Sequence, residues 1–190
     1  MAGASIWTGL KWLNEPTWRV EDEVLHVTTA NETDFWRVTH YGFVRDSGHV
    51  LYAAARGEFT ASVRVQGSYQ ALYDQAGLML RGSAECWVKT GVEFVNEQQL
   101  SVVVTRDFSD WSVRPIGAAA FVDLKLTRRG DTVRVHVRLP GAAWTLMRLA
   151  YYPPELPATV GVYACSPQRA GFEARFSDFT LGPPEDERPY

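Results

Sequence analysis

Apolar and polar residues alternate with a period of two along most of the chain, the signature of strands with one buried face. The clearest case is residues 58–67. Phe59, Ala61, Val63 and Val65 fall on one side, and Thr60, Ser62, Arg64 and Gln66 on the other, which predicts a half-buried antiparallel strand. Residues 121–139 read as a hairpin. Val122, Leu124 and Leu126 line one arm, Val133, Val135 and Val137 the other, and Arg129, Gly130 and Asp131 supply the turn, with Gly130 free to take positive φ. A second hairpin is predicted over residues 17–29. The aromatic and β-branched residues 35–43 predict a strand with Trp36, Val38 and His40 on one side and Phe35, Arg37, Thr39 and Tyr41 on the other. Residues 51–56 fit either a helical turn or an irregular strand, and residues 107–112 read as a polar loop around Trp111. Further strands are expected over 144–150, 159–165 and 171–181. The sum is roughly a dozen short strands with turn signals between them and no long helix, an all-β sandwich.

Three consecutive strands over residues 73–105 form its centre. The middle one, residues 86–95, has two unlike faces. Cys86, Val88, Thr90, Val92 and Phe94 suit a core. Trp87, Lys89, Gly91, Glu93 and Val95 put an indole, an ammonium, a gap and a carboxylate on the other face, which a core rejects unless they are partnered. That second face is read as the floor of an accessible ligand groove, with Gly91 as a notch where a ligand approaches the backbone.

Composition narrows the class. The 190 residues fit one domain, expected over 1–182 with a mobile tail over 183–190, and 46% hydrophobic and 13% aromatic residues suffice for a sizeable core. The net charge of −3 and the scattered Lys and Arg argue against a nucleic-acid binder. The absence of a long apolar run argues against a membrane span, and the N-terminal residues lack the pattern of a secretory leader, so a cytoplasmic location is expected. Cys86 and Cys165 are expected as free thiols. His26, His40, His49 and His136 lack ligand spacing, so neither a metal nor a cofactor is expected.

The candidate ligand-binding residues are Trp36, His40, Asp74, Gln75, Trp87, Lys89, Glu93 and Trp111. Flat rings beside hydrogen-bonding groups fit sugar rings, which have C–H faces and hydroxyl edges. Each choice has a plainer rival: core packing for the aromatics, a structural role for His40, loop capping for Asp74, and a solvated face with cross-strand pairing to Arg106 or Asp107 for Lys89. Glu93 and Glu97 lie four apart as some glycosidase carboxylates do, but Val95 stands where those motifs hold a third acid, and Glu97 falls in a predicted turn.

The segments DFWRVTHYGF at 34–43, YDQAGLML at 73–80, CWVKTGVEF at 86–94, SVVVT followed by SDWS within 101–112, and CSPQRAGFEARFSDF at 165–179 resemble a family of uncharacterised proteins, the one that includes the yeast protein named for regulation of enolase. The resemblance runs over nearly the whole chain in order. It implies a concanavalin A-like jelly-roll sandwich of two antiparallel sheets and no settled activity or catalytic residues, since that fold serves binders and enzymes alike. Three functions are therefore expected in this order. The first is binding of a small polar ligand, a carbohydrate, on the concave sheet. The second is an enzyme acting on a sugar or sugar phosphate, with Glu93 or Asp74 as acid or base and Lys89 holding an anion. The third is an interaction module that regulates a metabolic enzyme.

Overall fold

A computed structural model of the protein describes residues 5–185. In chain order its strands are β1 (Lys11–Leu13), β2 (Thr17–Glu21), β3 (Val24–Thr28), β4 (Phe35–Arg37), β5 (Val44–Asp46), β6 (His49–Ala55), β7 (Phe59–Gly67), β8 (Gln75–Arg81), β9 (Cys86–Val95), β10 (Glu97–Arg106), β11 (Phe108–Pro115), β12 (Val122–Arg129), β13 (Thr132–Arg138), β14 (Thr145–Tyr151), β15 (Ala158–Cys165) and β16 (Glu173–Gly182). One seven-stranded sheet has the order β1-β6-β15-β8-β9-β10-β11, and the other β14-β13-β12-β7-β16-β3-β2. Every pairing is antiparallel. The protein is a concanavalin A-like jelly roll. No helix among the described residues is long and apolar enough to cross a membrane.

The main core fills the space between the sheets. Leu78, Leu80, Val88, Val92, Val102 and Val160 come from the first sheet and meet Val63, Leu124, Leu126, Val135 and Phe176 from the second. These are the alternate positions of each strand, as the period of two requires. A second, smaller core lies on the outer face of the first sheet, where Trp87, Met79, Val103 and Tyr163 pack with Phe35, Trp36 and Val50. The segment from Asp34 to Gly48, including the β4–β5 ribbon, covers it, with backbone bonds from Ser47 and Gly48 to the Asp34 carbonyl closing its base.

Several sequence expectations change here. The strand predicted over 35–43 stops at Arg37, because Val38 and His40 take positive φ (61° and 65°) and turn the chain back on itself. Trp36 and His40 therefore do not share a strand face. Residues 107–112 are not a loop. After Asp107 (φ 62°) turns the chain, they enter β11, burying Ser109 and leaving Phe108 and Asp110 outside. Residues 51–56, left open between two readings, lie mostly in β6. The β9–β10 register places Val103, not Arg106 or Asp107, opposite Lys89. Cys86 and Cys165 are free thiols. The expected mobile tail begins at 183, but Glu185 is bonded to Lys125 and to the Thr60 hydroxyl, and residues 186–190 lie outside the described residues.

Gly91 is no ligand notch. It pairs with Gly77 across β8 and β9, and a Cβ on Gly91 would meet the Ala76 carbonyl oxygen at 2.1 Å. The strands approach so closely there that the backbone itself fills the gap.

Candidate functional site

The alternation along β9 sends Trp87, Lys89 and Glu93 to the outer face of the first sheet, but the 34–48 segment roofs that face over. Lys89 is 3% exposed and Glu93 6%. Buried charges need partners. The Lys89 ammonium donates to Gln75 Oε1 at 2.6 Å and to the Phe35 carbonyl at 2.8 Å, and its Nζ lies 3.5 Å from Asp34 Oδ1. An ammonium has three hydrogens, and these three acceptors account for them. Gln75 is engaged in the same way: its Nε2 donates to the Tyr73 carbonyl at 3.2 Å and to Asp34 Oδ1 at 3.4 Å. Lys89 and Gln75 thus tie β8 and β9 to the covering segment, and Lys89 has no hydrogen left to hold an anion.

Above this network lies a pocket of about 150 Å³. Gln75, Lys89 and Glu93 form its floor with Val103, and Trp36, Tyr41, Phe43, Tyr73 and Trp111 form much of its wall, with Asp34 and Gln168 completing the lining. Trp36 is fixed by its indole N–H, which donates to the Thr39 carbonyl at 2.9 Å, and by an edge contact with Tyr41. Tyr41 stacks on Phe43, and its hydroxyl shares a 3.0 Å hydrogen bond with that of Tyr73. That bond, reinforced by burial, holds the Tyr73 phenol above the ordinary tyrosine range. Trp111 directs its indole N–H to Glu93 Oε2 at 3.0 Å and to Ser101 Oγ at 3.1 Å.

Glu93 is the group whose chemistry stands out. Burial raises its carboxyl above the usual glutamate range, and the nearby Asp34 charge adds to the effect. Lys89, Ser101 and Trp111 oppose it without cancelling it. Asp34 uses only Oδ1 toward the protein: Oδ2 accepts no hydrogen bond among the described residues. The pocket therefore offers oxygen acceptors, a pair of phenols and flat rings, a set that fits a ligand rich in hydroxyls.

The structure brings Trp36, Gln75, Lys89, Glu93 and Trp111 to this pocket and leaves three of the sequence candidates out of it. Trp87 is 1% exposed and sealed in the smaller core, edge-on to Phe35, with its N–H donated to the Ala84 carbonyl. It stacks on nothing that enters from solvent, because Phe35 lies over it. Asp74 shares the β8 parity of Ala76 and Leu78 and is fully buried. It accepts from Ser166 Oγ and Arg169 Nη2, both at 2.6 Å, and from the amides of Gln70 and Ala71. Burial pushes its carboxyl up, but those bonds outweigh it and hold it below the usual range. Asp74 is a loop cap, not a pocket acid. His40 sits beside Tyr41 on an adjoining cleft. Glu97 is exposed at the β9–β10 turn, where Asn96 takes φ 64°, and does not join Glu93. Sequence reasoning missed Asp34, Phe43 and Tyr73. The available signal was Asp34 standing directly before the aromatic residues of β4.

A family model described as "Protein of unknown function (DUF1349)" matches residues 12–184. The chain is 44% identical over 177 residues to the "Regulation of enolase protein 1" of Saccharomyces cerevisiae, covering 91% of this chain and 89% of that one. Among solved structures it is similar to a functionally unknown protein from S. cerevisiae, with a TM-score of 0.90, 41% identity and coverage of 94% and 98% of the two chains. It is also similar to the GH43 BlXynB protein from Bacillus licheniformis, with a TM-score of 0.69, 16% identity and coverage of 88% of this chain and 35% of that one. The last likeness is one of fold.

Proposed function

The chain belongs to the DUF1349 family of proteins of unknown function, and from that premise we propose that it binds a carbohydrate in the pocket above Glu93. One observation supports this most: oxygen acceptors at Glu93 and Asp34 stand inside a ring of aromatic faces, so hydroxyls and C–H faces find partners in the same small space. In this reading Trp36 and Trp111 flank the sugar ring, Glu93 and Asp34 Oδ2 accept from its hydroxyls, and Lys89 with Gln75 holds the site in shape. The two free thiols accord with a reducing compartment, and we place the protein in the cytoplasm.

Thermal-shift screening against a panel of sugars tests this. A binder raises Tm in proportion to the logarithm of its concentration. Trp111→Phe, which removes the N–H and keeps a ring, abolishes the shift. A panel that leaves Tm unmoved refutes the proposal.

The name of the yeast relative supports a second reading, an interaction module for a metabolic enzyme. Co-purification with purified enolase, assayed with and without excess sugar, separates the two. The raised Glu93 carboxyl supports a third, an acid acting on the bound sugar, and product release from a sugar that binds would establish it.

A further inference from the structure

We infer that the pocket receives only the terminal unit of its ligand, and that the ligand is an oligosaccharide whose following units lie in the adjoining cleft and carry negative charge. This rests on the carbohydrate reading above.

The first ground is size. Pockets for drug-sized ligands hold roughly 300–1,000 Å³, and the pocket above Glu93 holds about 150 Å³, room for one ring-sized unit. The second is continuity. A cleft of about 820 Å³ adjoins the pocket, and Trp36, Tyr41 and Trp111 border both. A ligand held at one end by these rings has the cleft as its immediate neighbour.

The third ground is the character of the cleft. Phe108 on β11 is 61% exposed, and Leu149 and Tyr151 on β14 are 51% and 46% exposed. Three large apolar side chains from two different sheets converge on one hollow. Such a cluster on a surface marks a place of contact, and its continuity with the pocket assigns that contact to the same ligand. The fourth is charge. Arg148 is held by Asp110 at 3.6 Å and by Ser112 Oγ at 2.9 Å. Arg106 lies 5.2 Å over the Tyr151 ring and has no carboxylate partner among the described residues. It is a fixed cation facing the cleft, and a carboxylate on the second or third unit of the chain would meet it.

Calorimetric titration with two series tests this: xylose through xylotetraose, and galacturonic acid through its tetramer. The expected result is a gain of tenfold or more from monomer to trimer, larger in the acidic series. The double variant Phe108→Ala/Tyr151→Ala loses the gain while its monomer affinity and Tm stay those of the wild type, since both side chains are exposed. Arg106→Gln loses the preference for the acidic series alone. Monomers that bind as tightly as tetramers, or a gain that survives the double variant, overturn the role of the cleft and leave the pocket reading standing. Equal gain in the two series overturns the charge assignment. Silence from every member of both series overturns the pocket reading and this inference together.

Discussion

The Lys89 ammonium donates to the main-chain carbonyl of Phe35 at 2.8 Å, joining the middle of β9 to the first residue of β4 across 54 positions of sequence. This bond, with those to Gln75 and Asp34, fastens the covering segment to the sheet and turns a sheet face into a pocket.

Lys89→Met removes the buried donor shared by Gln75 Oε1, the Phe35 carbonyl and Asp34 Oδ1. Breaking a buried ion pair from one side costs about 3 kcal/mol. Urea unfolding should show a loss of that size with an unchanged slope. A loss below about 0.5 kcal/mol, the scatter of ordinary surface substitutions, would mean that the covering segment is held by other contacts.

Glu93→Gln should stabilise the protein in a pH-dependent way. Burial keeps the Glu93 carboxyl above its ordinary range, so the folded protein retains a proton that the unfolded chain has released. Stability then falls as pH rises through the window between the ordinary and the raised value. Glutamine has no charge to form. The variant should exceed wild type in Tm at pH 8, and the difference should shrink toward pH 4. A difference independent of pH would contradict the raised carboxyl.

Gly91→Ala tests the close approach of β8 and β9. Its Cβ would meet the Ala76 carbonyl oxygen at 2.1 Å, and that of Gly77→Ala would meet the Thr90 carbonyl oxygen at 1.9 Å. Backbone cannot yield as a side-chain tip can, so each should cost about 3 kcal/mol. Wild-type denaturation midpoints for both would contradict the packing described.

Val38→Asn should act in the opposite direction. A β-branched residue at φ 61° is strained, whereas asparagine tolerates that region. A gain of about 1 kcal/mol is expected in urea unfolding, and a loss would show that the Val38 side chain contributes packing that outweighs its strain.

The two faces of β9 were legible in the sequence because a strand's period admits only two sides, and Val88 and Val92 do enter the main core while Lys89 and Glu93 leave it. What escaped was the roof. Residues 35–43 have strand composition throughout, and nothing local announces that Val38 and His40 turn left-handed. Bonds inside the segment close that turn, among them Val38 N–H to the Phe43 carbonyl and the Trp36 indole N–H to the Thr39 carbonyl. Without the roof, Trp87 reads as an accessible ring. With it, Phe35 seals Trp87 and Tyr41 takes the place of a ligand-facing aromatic. β11 escaped because serine and aspartate dominate residues 107–112, yet Ser109 is buried in β11, where it shares a hydrogen bond with the Thr105 hydroxyl, a polar side chain satisfied by its neighbour. The partner that makes Asp74 a cap and not a rim acid, Arg169, lies 95 residues away, out of reach of any local pattern.

The Trp111 indole N–H, bonded to Glu93 and Ser101 at the wall of the pocket, can be followed directly by nitrogen-proton correlation NMR, with its signal assigned by its disappearance in Trp111→Phe. During titration with a sugar from the panel, that signal should move and saturate, while the indole of Trp7, packed in the main core and bonded to the Glu23 carbonyl, stays in place. A Trp111 signal that remains fixed at saturating concentrations of every sugar tried would contradict the carbohydrate pocket.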